Sequence, residues 1–411
     1  MTRPVILSEL RKFLALCAMA ALHYGCGTSD EGRAKLKPLY DGSEYFKLRD
    51  AMKTGEAPAV YWAWVAYAFH DWHAAERYAR ETLASERQQK DWTDAHWVRE
   101  MIYARGGKYA AAFEEAQAMG ETGKLEAAFM SVARHFPPPE CGPRAFTRVP
   151  WTMNGHLITI PVLVNGNTAY YGIDTGSSHS FVTEAEAKQL GLKVYDVPHY
   201  QQGDLGQTAD HPRLALMRDL SIGNLHLKNV LFAVTATNGS GDDSRPGHQG
   251  VLGLDTLLLL QTIRWGRDGF LEIGFPPGAL DVNTANLCFD IWHLMTEGLF
   301  RRQPVAILVD TGVQVTGITE TFARRFPDVM QTAKTLPVEI WGIVSHMKHN
   351  SKVLSELQLR ISGYDVAVRT VPLFTRDVAI ESWYDVSAGV NVWTQPNRVS
   401  LDFRAMRLSL E

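Results

Sequence analysis

The chain has 411 residues, 45% of them hydrophobic and 21% charged, and a net charge of −4. That length suggests two or three domains, and that balance excludes a disordered chain, a collagen-like repeat and a polytopic membrane protein. No basic excess points to a nucleic acid partner, and no two of Cys17, Cys26, Cys141 and Cys288 stand at C-x-x-C spacing, which excludes a zinc ribbon or thioredoxin-like motif.

Arg3, Arg11 and Lys12 precede an apolar run from Phe13 to Leu22, and His23-Tyr24-Gly25-Cys26 then leads into Gly27-Thr28-Ser29-Asp30. A basic start, a short apolar centre and an abrupt polar break read as an export signal over residues 1–30. The run is shorter than the roughly 20 residues needed to cross a bilayer. Gly25-Cys26 resembles the end of a bacterial lipoprotein signal, although His23 stands where that pattern has leucine. The expectation is an exported protein, either periplasmic after plain cleavage or attached to a membrane through a lipid on Cys26.

Residues 31–140 read as helices. Tyr61 to Phe69, Ala74 to Arg80, Trp97 to Ala104 and Ala110 to Ala116 are rich in alanine and aromatics at spacings of three and four. Trp72 and Tyr109 occupy corresponding places in two helix–turn–helix units, 37 residues apart. This is similar to a tetratricopeptide-like pair of hairpins, with an ordinary helical bundle as the alternative. Such a domain is expected to recruit a protein partner. The pairs His70/His73 and His346/His349 lack a third ligand at a recognised spacing and are read as solvated or helix-flanking. Pro137-Pro138-Pro139 ends the helical part.

From Phe146 onward, short Val/Ile/Leu/Thr segments alternate with Gly, Asn and Asp, which reads as all-β. Two stretches stand out. Tyr170-Tyr171-Gly172-Ile173-Asp174-Thr175-Gly176-Ser177 and Ala306-Ile307-Leu308-Val309-Asp310-Thr311-Gly312-Val313 each run an apolar strand into Asp-Thr-Gly. Each is followed by a short helical segment, at Glu184 and at Glu320, and later by a glycine landmark, Gly253 and Gly389. The order of features repeats at a constant offset, so an internal duplication accounts for it better than two chance triplets. The division expected is 141–280 for one lobe and 281–411 for the other.

On these motifs residues 145–411 resemble the pepsin and retropepsin superfamily of aspartic proteases. The resemblance implies a mainly-β, bilobal fold with a central cleft, an Asp174/Asp310 dyad and no cofactor or metal. Two close carboxylates share one proton, so one can act as base toward water while the other polarises a peptide carbonyl. The same resemblance implies that Thr175 and Thr311 exchange hydrogen bonds across the lobes, that Gly176 and Gly312 let the loops turn tightly, and that the Ser177 hydroxyl donates to Asp174. Val313 replaces the hydroxyl or small residue usual in the second lobe, and Ala388 is smaller than the apolar residue usual before Gly389.

A hairpin flap is expected near Tyr200 to Gly206, including Gly203, with Trp341-Gly342 in the matching place. Plain surface hairpins are the alternative at both. Cys141 and Cys288 are expected either to form a disulfide at the lobe junction or to remain buried thiols. The function expected is an aspartic endopeptidase acting on a peptide or protein substrate. The rival reading is a catalytically silent module that binds a peptide or envelope component on the same fold.

Overall fold

A computed structural model describes residues 30–85, 89–142, 146–198, 202–204, 207–209, 213–235, 250–341, 346–375 and 383–411. Cys17, Cys26, Tyr200 and Gly342 lie outside them. The first part carries helices α1 (Asp30–Asp41), α2 (Tyr45–Met52), α3 (Ala59–Ala68), α4 (Trp72–Ser85), α5 (Gln89–Arg105), α6 (Tyr109–Ala118) and α7 (Lys124–Ala133). Apolar on nearly every side, α3 is the buried centre of this group, with Val60, Tyr61, Ala63, Trp64 and Val65 through Ala68 all covered.

The correspondence between Trp72 and Tyr109 is carried by backbone geometry. Each opens the second helix of a hairpin, α4 and α6. In the turn before it, Phe69, His70 and Asp71 donate to the carbonyls of Val65, Tyr67 and Ala66, and Gly106, Gly107 and Lys108 donate in the same order to Ile102, Ala104 and Tyr103. Both turns need a left-handed residue, His70 (φ 63°) in one and Gly107 (φ 69°) in the other. Fully buried Ala75, Ala79, Ala112 and Ala116 let the paired helices approach closely.

The lobes follow. In the first, nine strands form a sheet in which Arg213–Ile222 pairs with both Leu225–Thr235 and Leu157–Val164, curling the sheet toward a barrel. In the second, eight strands do the same, with His293–Phe300 pairing both Gln303–Val309 and His346–Ile361. A separate five-stranded sheet joins the halves. Thr147–Pro150, Phe270–Ile273 and Thr262–Gly266 come from one half, Arg398–Asp402 and Arg407–Leu410 from the other, and the seam runs along Ile263 opposite Leu401. The architecture is therefore mainly-β and two-lobed, with a helical N-terminal part, as expected from the sequence.

The helical part is anchored to the lobes by polar contacts as well as packing. Arg49 Nη1 donates to the carbonyls of Val282 and Ala285 at 2.9 and 2.8 Å. Tyr67 Oη and Arg105 Nη2 both donate to the Ile291 carbonyl, at 2.8 and 2.9 Å.

The disulfide between Cys141 and Cys288 is not formed. Cys288 is a buried free thiol. It faces Met295 across the second lobe's sheet, whereas Cys141 faces Leu227 in the first lobe's sheet. The two cysteines therefore stand in different sheets rather than together at the junction.

Candidate active site

The strands Asn167–Ile173 and Gln303–Val309 deliver Asp174 and Asp310 to the lobe interface. Each strand runs parallel to a short partner, Gly250–Leu252 and Val386–Ala388. Asp174 N donates to Leu252 O and Asp310 N to Ala388 O, both at 3.1 Å. Beyond the aspartates the chain turns so that backbone amides point at the carboxylates. Asp174 Oδ1 accepts from Gly176 N at 2.8 Å and Ser177 N at 3.1 Å. Asp310 Oδ1 accepts from Gly312 N at 2.9 Å and Val313 N at 3.1 Å.

This corrects the role expected of Ser177. Its hydroxyl donates to the His179 carbonyl at 2.7 Å, and its backbone amide, not its side chain, serves Asp174. A valine at 313 supplies the same amide, so replacing the hydroxyl residue there costs the second aspartate none of these bonds.

The two threonines lock the loops together. Thr175 N donates to Thr311 Oγ1 at 3.0 Å and Thr311 N donates to Thr175 Oγ1 at 3.1 Å. Each hydroxyl then donates across the interface, Thr175 to Val309 O at 2.6 Å and Thr311 to Ile173 O at 2.9 Å. Both side chains are completely buried. Both threonine amides and both hydroxyls are thereby paired, as buried polar groups require.

Each aspartate lies against the glycine of the opposite loop. A Cβ on Gly176 would stand 2.3 Å from Asp310 Cγ, and one on Gly312 would stand 2.2 Å from Asp174 Cγ. The absence of a side chain at these two positions lets the carboxyl groups share one small space. Burial raises the carboxyl pKa of both aspartates above the ordinary range, and Asp310 is raised further by the neighbouring Asp174 charge. The environment thus favours holding a proton on the pair.

A second layer repeats with the same offset. Ser180 N and Oγ both donate to Asp255 Oδ1, at 2.9 and 2.6 Å, and Gly253 N donates to Ser180 Oγ at 3.0 Å. In the other lobe Thr316 N and Oγ1 donate to Asn391 Oδ1, at 3.1 and 2.6 Å, and Gly389 N donates to Thr316 Oγ1 at 2.9 Å. Sequence reading missed these four side chains. Applying the offset of 136 residues that separates Thr175 from Thr311 to every polar residue would have paired Ser180 with Thr316 and Asp255 with Asn391. Small Ala388 is accommodated by a large neighbour. Trp393, fully buried, donates its indole N–H to Ala388 O at 2.7 Å, in the place held by Leu257 in the first lobe.

Hairpins exist in both expected flap regions. Gln202–Asp204 pairs with Gln207–Ala209, placing Gly203 opposite Thr208, and Trp341 pairs with His346 at the end of the hairpin formed by Lys334–Trp341. Tyr200 and Gly342 lie outside the described residues. Among the described residues no group of three or more His, Cys, Asp or Glu is gathered around a potential metal position.

Residues 160–256, which include the first Asp-Thr-Gly and its supporting loop, match the family model of aspartyl proteases. No curated protein matches the chain. Among solved structures the chain is similar to basic 7S globulin from soybean, with 12% identity and a TM-score of 0.39 over 66% of this chain and 95% of that one. It is also similar to a retropepsin-like aspartic protease from Rickettsia conorii, with 20% identity and a TM-score of 0.23 over 33% of this chain and 90% of that one.

Proposed function

We propose that the protein is an aspartic endopeptidase that hydrolyses peptide bonds with the Asp174/Asp310 pair. The observation that carries this reading is the reciprocal fit of the two loops, with each carboxyl seated against the other loop's glycine beneath crossed threonine hydrogen bonds. In the shared-proton form, the ionised carboxylate takes a proton from water as the water oxygen attacks the scissile carbonyl carbon. The protonated partner gives its proton to the carbonyl oxygen. The tetrahedral gem-diol then collapses: one hydroxyl gives its proton to the ionised carboxylate as the C=O bond re-forms, the C–N bond breaks, and the leaving nitrogen takes the proton held by the other carboxyl, which leaves the dyad with one shared proton. No covalent link to the enzyme forms.

Backbone amides hold the inner geometry without consuming the dyad's outer oxygens. Only Oδ1 of each aspartate is engaged by Gly176, Ser177, Gly312 and Val313. That arrangement supports a bound water between the carboxyl groups. We extend the proposal to an exported enzyme on the strength of the basic and apolar segment before Cys26, with a lipid on Cys26 as its anchor. Fatty-acid labelling that vanishes in Cys26→Ala is the expected result, and label retained in that variant would refute the anchor.

The decisive experiment is incubation of the purified protein with a mixed peptide library from acidic to neutral pH, beside Asp174→Asn. Cleavage is expected in the wild type and its loss in the variant. An absence of cleavage at every pH would refute the proposal.

A further inference from the structure

The lobes differ at one place in a way that folding does not require. In the first lobe a two-residue turn, Asn165-Gly166, joins Leu157–Val164 to Asn167–Ile173, and Val164 pairs with Asn167. In the second lobe Arg301-Arg302 makes the same turn, and Phe300 pairs with Gln303. Both residues of each turn are left-handed, at φ 49° and 82° in the first lobe and 49° and 66° in the second. Asn-Gly is the pair such a turn favours, whereas arginine there sets its Cβ against the following carbonyl. Beside the turn, Leu163 faces Ser221 and Ser221 faces His226 in the first lobe. Leu299 faces Arg360 and Arg360 faces Asp365 in the second. Where the first lobe has Asn165, Gly166 and Ser221, the second therefore has three arginines.

Arg301, Arg302 and Arg360 line one recess of about 340 Å³. Leu299, 40% exposed, and Ala367, also exposed, give it an apolar wall. None of the residues lining it belongs to the helical part or to either Asp-Thr-Gly loop. Three guanidinium groups stand there against one carboxylate, that of Asp365, in a chain whose net charge is −4. Arg301 Nη1 reaches Asp328 at 2.6 Å and Arg360 Nε reaches Asp365 at 3.3 Å, both exposed pairs of the kind that contribute little in water. The Arg302 side chain is exposed and has no ion pair or hydrogen bond among the described residues.

We propose that this recess is a docking site, outside the cleft, for an acidic segment of a partner protein. Carboxylates of the segment bind the three arginines, and an apolar side chain rests on Leu299 and Ala367. The planar guanidinium fork pairs with a carboxylate through two parallel hydrogen bonds. An inorganic anion would leave the apolar wall unused, and a flat lipid surface does not enter a recess. A peptide that carries both acidic and apolar side chains uses both parts. The strained turn is kept because it presents the arginines, since the first lobe makes the same turn without them. Docking requires no cleavage, so the site stands whether or not the dyad is active.

The test is fluorescence anisotropy of a labelled peptide with a leucine set among glutamates, beside its glutamine counterpart. The protein is the full chain carrying Asp174→Asn, so that nothing is cut. Arg301→Asn, Arg302→Gly and Arg360→Ser place the first lobe's own residues at the equivalent positions. Arg302→Gly is expected to melt no lower than its parent, because glycine suits a left-handed turn. The acidic peptide should bind saturably, and about tenfold or more weakly once all three arginines are replaced. Added salt should weaken it as well. Arg302→Gly alone should weaken binding in the same direction, and it carries the test if the triple variant melts lower. No binding of the acidic peptide, equal binding of the glutamine peptide, or binding unchanged by the substitutions overturns the inference. Inorganic phosphate and phosphatidylglycerol vesicles are titrated alongside. Arginine-dependent binding of either one, without binding of the acidic peptide, assigns the recess to phosphate and overturns the inference.

Discussion

Gly176 lies against Asp310 so closely that even a methyl group would come within 2.3 Å of the carboxyl carbon. The reciprocal contact of Gly312 with Asp174 is equally tight. Gly176→Ala and Gly312→Ala are therefore expected to push the carboxyl groups apart while leaving both lobes folded. A displacement of about 1 Å at reacting groups costs on the order of a hundredfold in rate. Each variant should lose at least that much in kcat/KM, with its far-UV circular dichroism unchanged. Activity within threefold of wild type would show that the dyad does not work in this geometry.

Thr311→Val removes the acceptor of Thr175 N and the donor to Ile173 O while preserving shape. Leaving a buried donor unpaired costs about 1–3 kcal/mol. Equilibrium denaturation should show a loss in that range, with Thr311→Ser recovering most of it. A loss equal in the serine variant would mean that the methyl group, not the hydroxyl, matters.

The dyad has a stability signature that needs no substrate. The folded-state pKa values of Asp174 and Asp310 are raised by burial, so the folded protein binds protons more tightly than the unfolded chain. The sign follows directly. Their contribution is most favourable below the unfolded carboxylate pKa and declines as pH rises toward the folded values. Asp310→Asn removes the ionisation, so its melting temperature should exceed that of wild type near neutrality by more than it does at about pH 4. A constant difference across that window would remove the linkage.

Glu100 offers a separate test within the helical part. It is fully buried, neither carboxylate oxygen has a hydrogen-bond partner among the described residues, and burial raises its pKa to about 8. Nearby Glu126 and Glu115 push in the same direction, and Arg105 opposes them. Wild-type stability at this site is complete below the ordinary glutamate pKa and is lost as pH rises toward 8. Glu100→Gln should therefore raise the melting temperature at about pH 8.5 and change it little at about pH 4. A gain that is the same at both pH values would show that ionisation is not its source.

Cys288 is buried and its thiol pKa is raised by that burial, with the Asp290 charge adding to the effect. A thiol-specific reagent at neutral pH should leave it unmodified in the native protein and modify it in unreduced, denatured protein. Mass mapping decides the outcome. A Cys288 peptide that labels only after reduction would mean the thiol had been oxidised.

Much of the site was legible because covalent duplication leaves a constant offset. Asp174 and Asp310, their threonines and their glycines could be found from one repeated triplet, and the structure brings all six to one crossing. Ser177 was misjudged because the motif gives no sign that its hydroxyl turns to the His179 carbonyl and leaves the backbone amide to serve Asp174. The Cys141–Cys288 bond was left open because an oxidising compartment says nothing about which sheet each cysteine joins. The stacking of His179 on the helical part was not legible for a different reason. Its partner Phe129 lies 50 residues earlier in another part of the chain, and a stacking contact between elements leaves no local pattern.

Joining the lobes in one chain has a consequence for how the cleft can change. A symmetric two-chain assembly must build both half-sites from one sequence, so every substitution strikes twice. Here the halves are encoded separately, and the divergence is visible where Asn391 stands in the second half at the place of Asp255 in the first, and Val315 at the place of His179. The threonine crossing stays alike on both sides because each threonine needs the other. The flanks carry no such obligation, which leaves one side open to a neighbour that the other side has never had to accommodate.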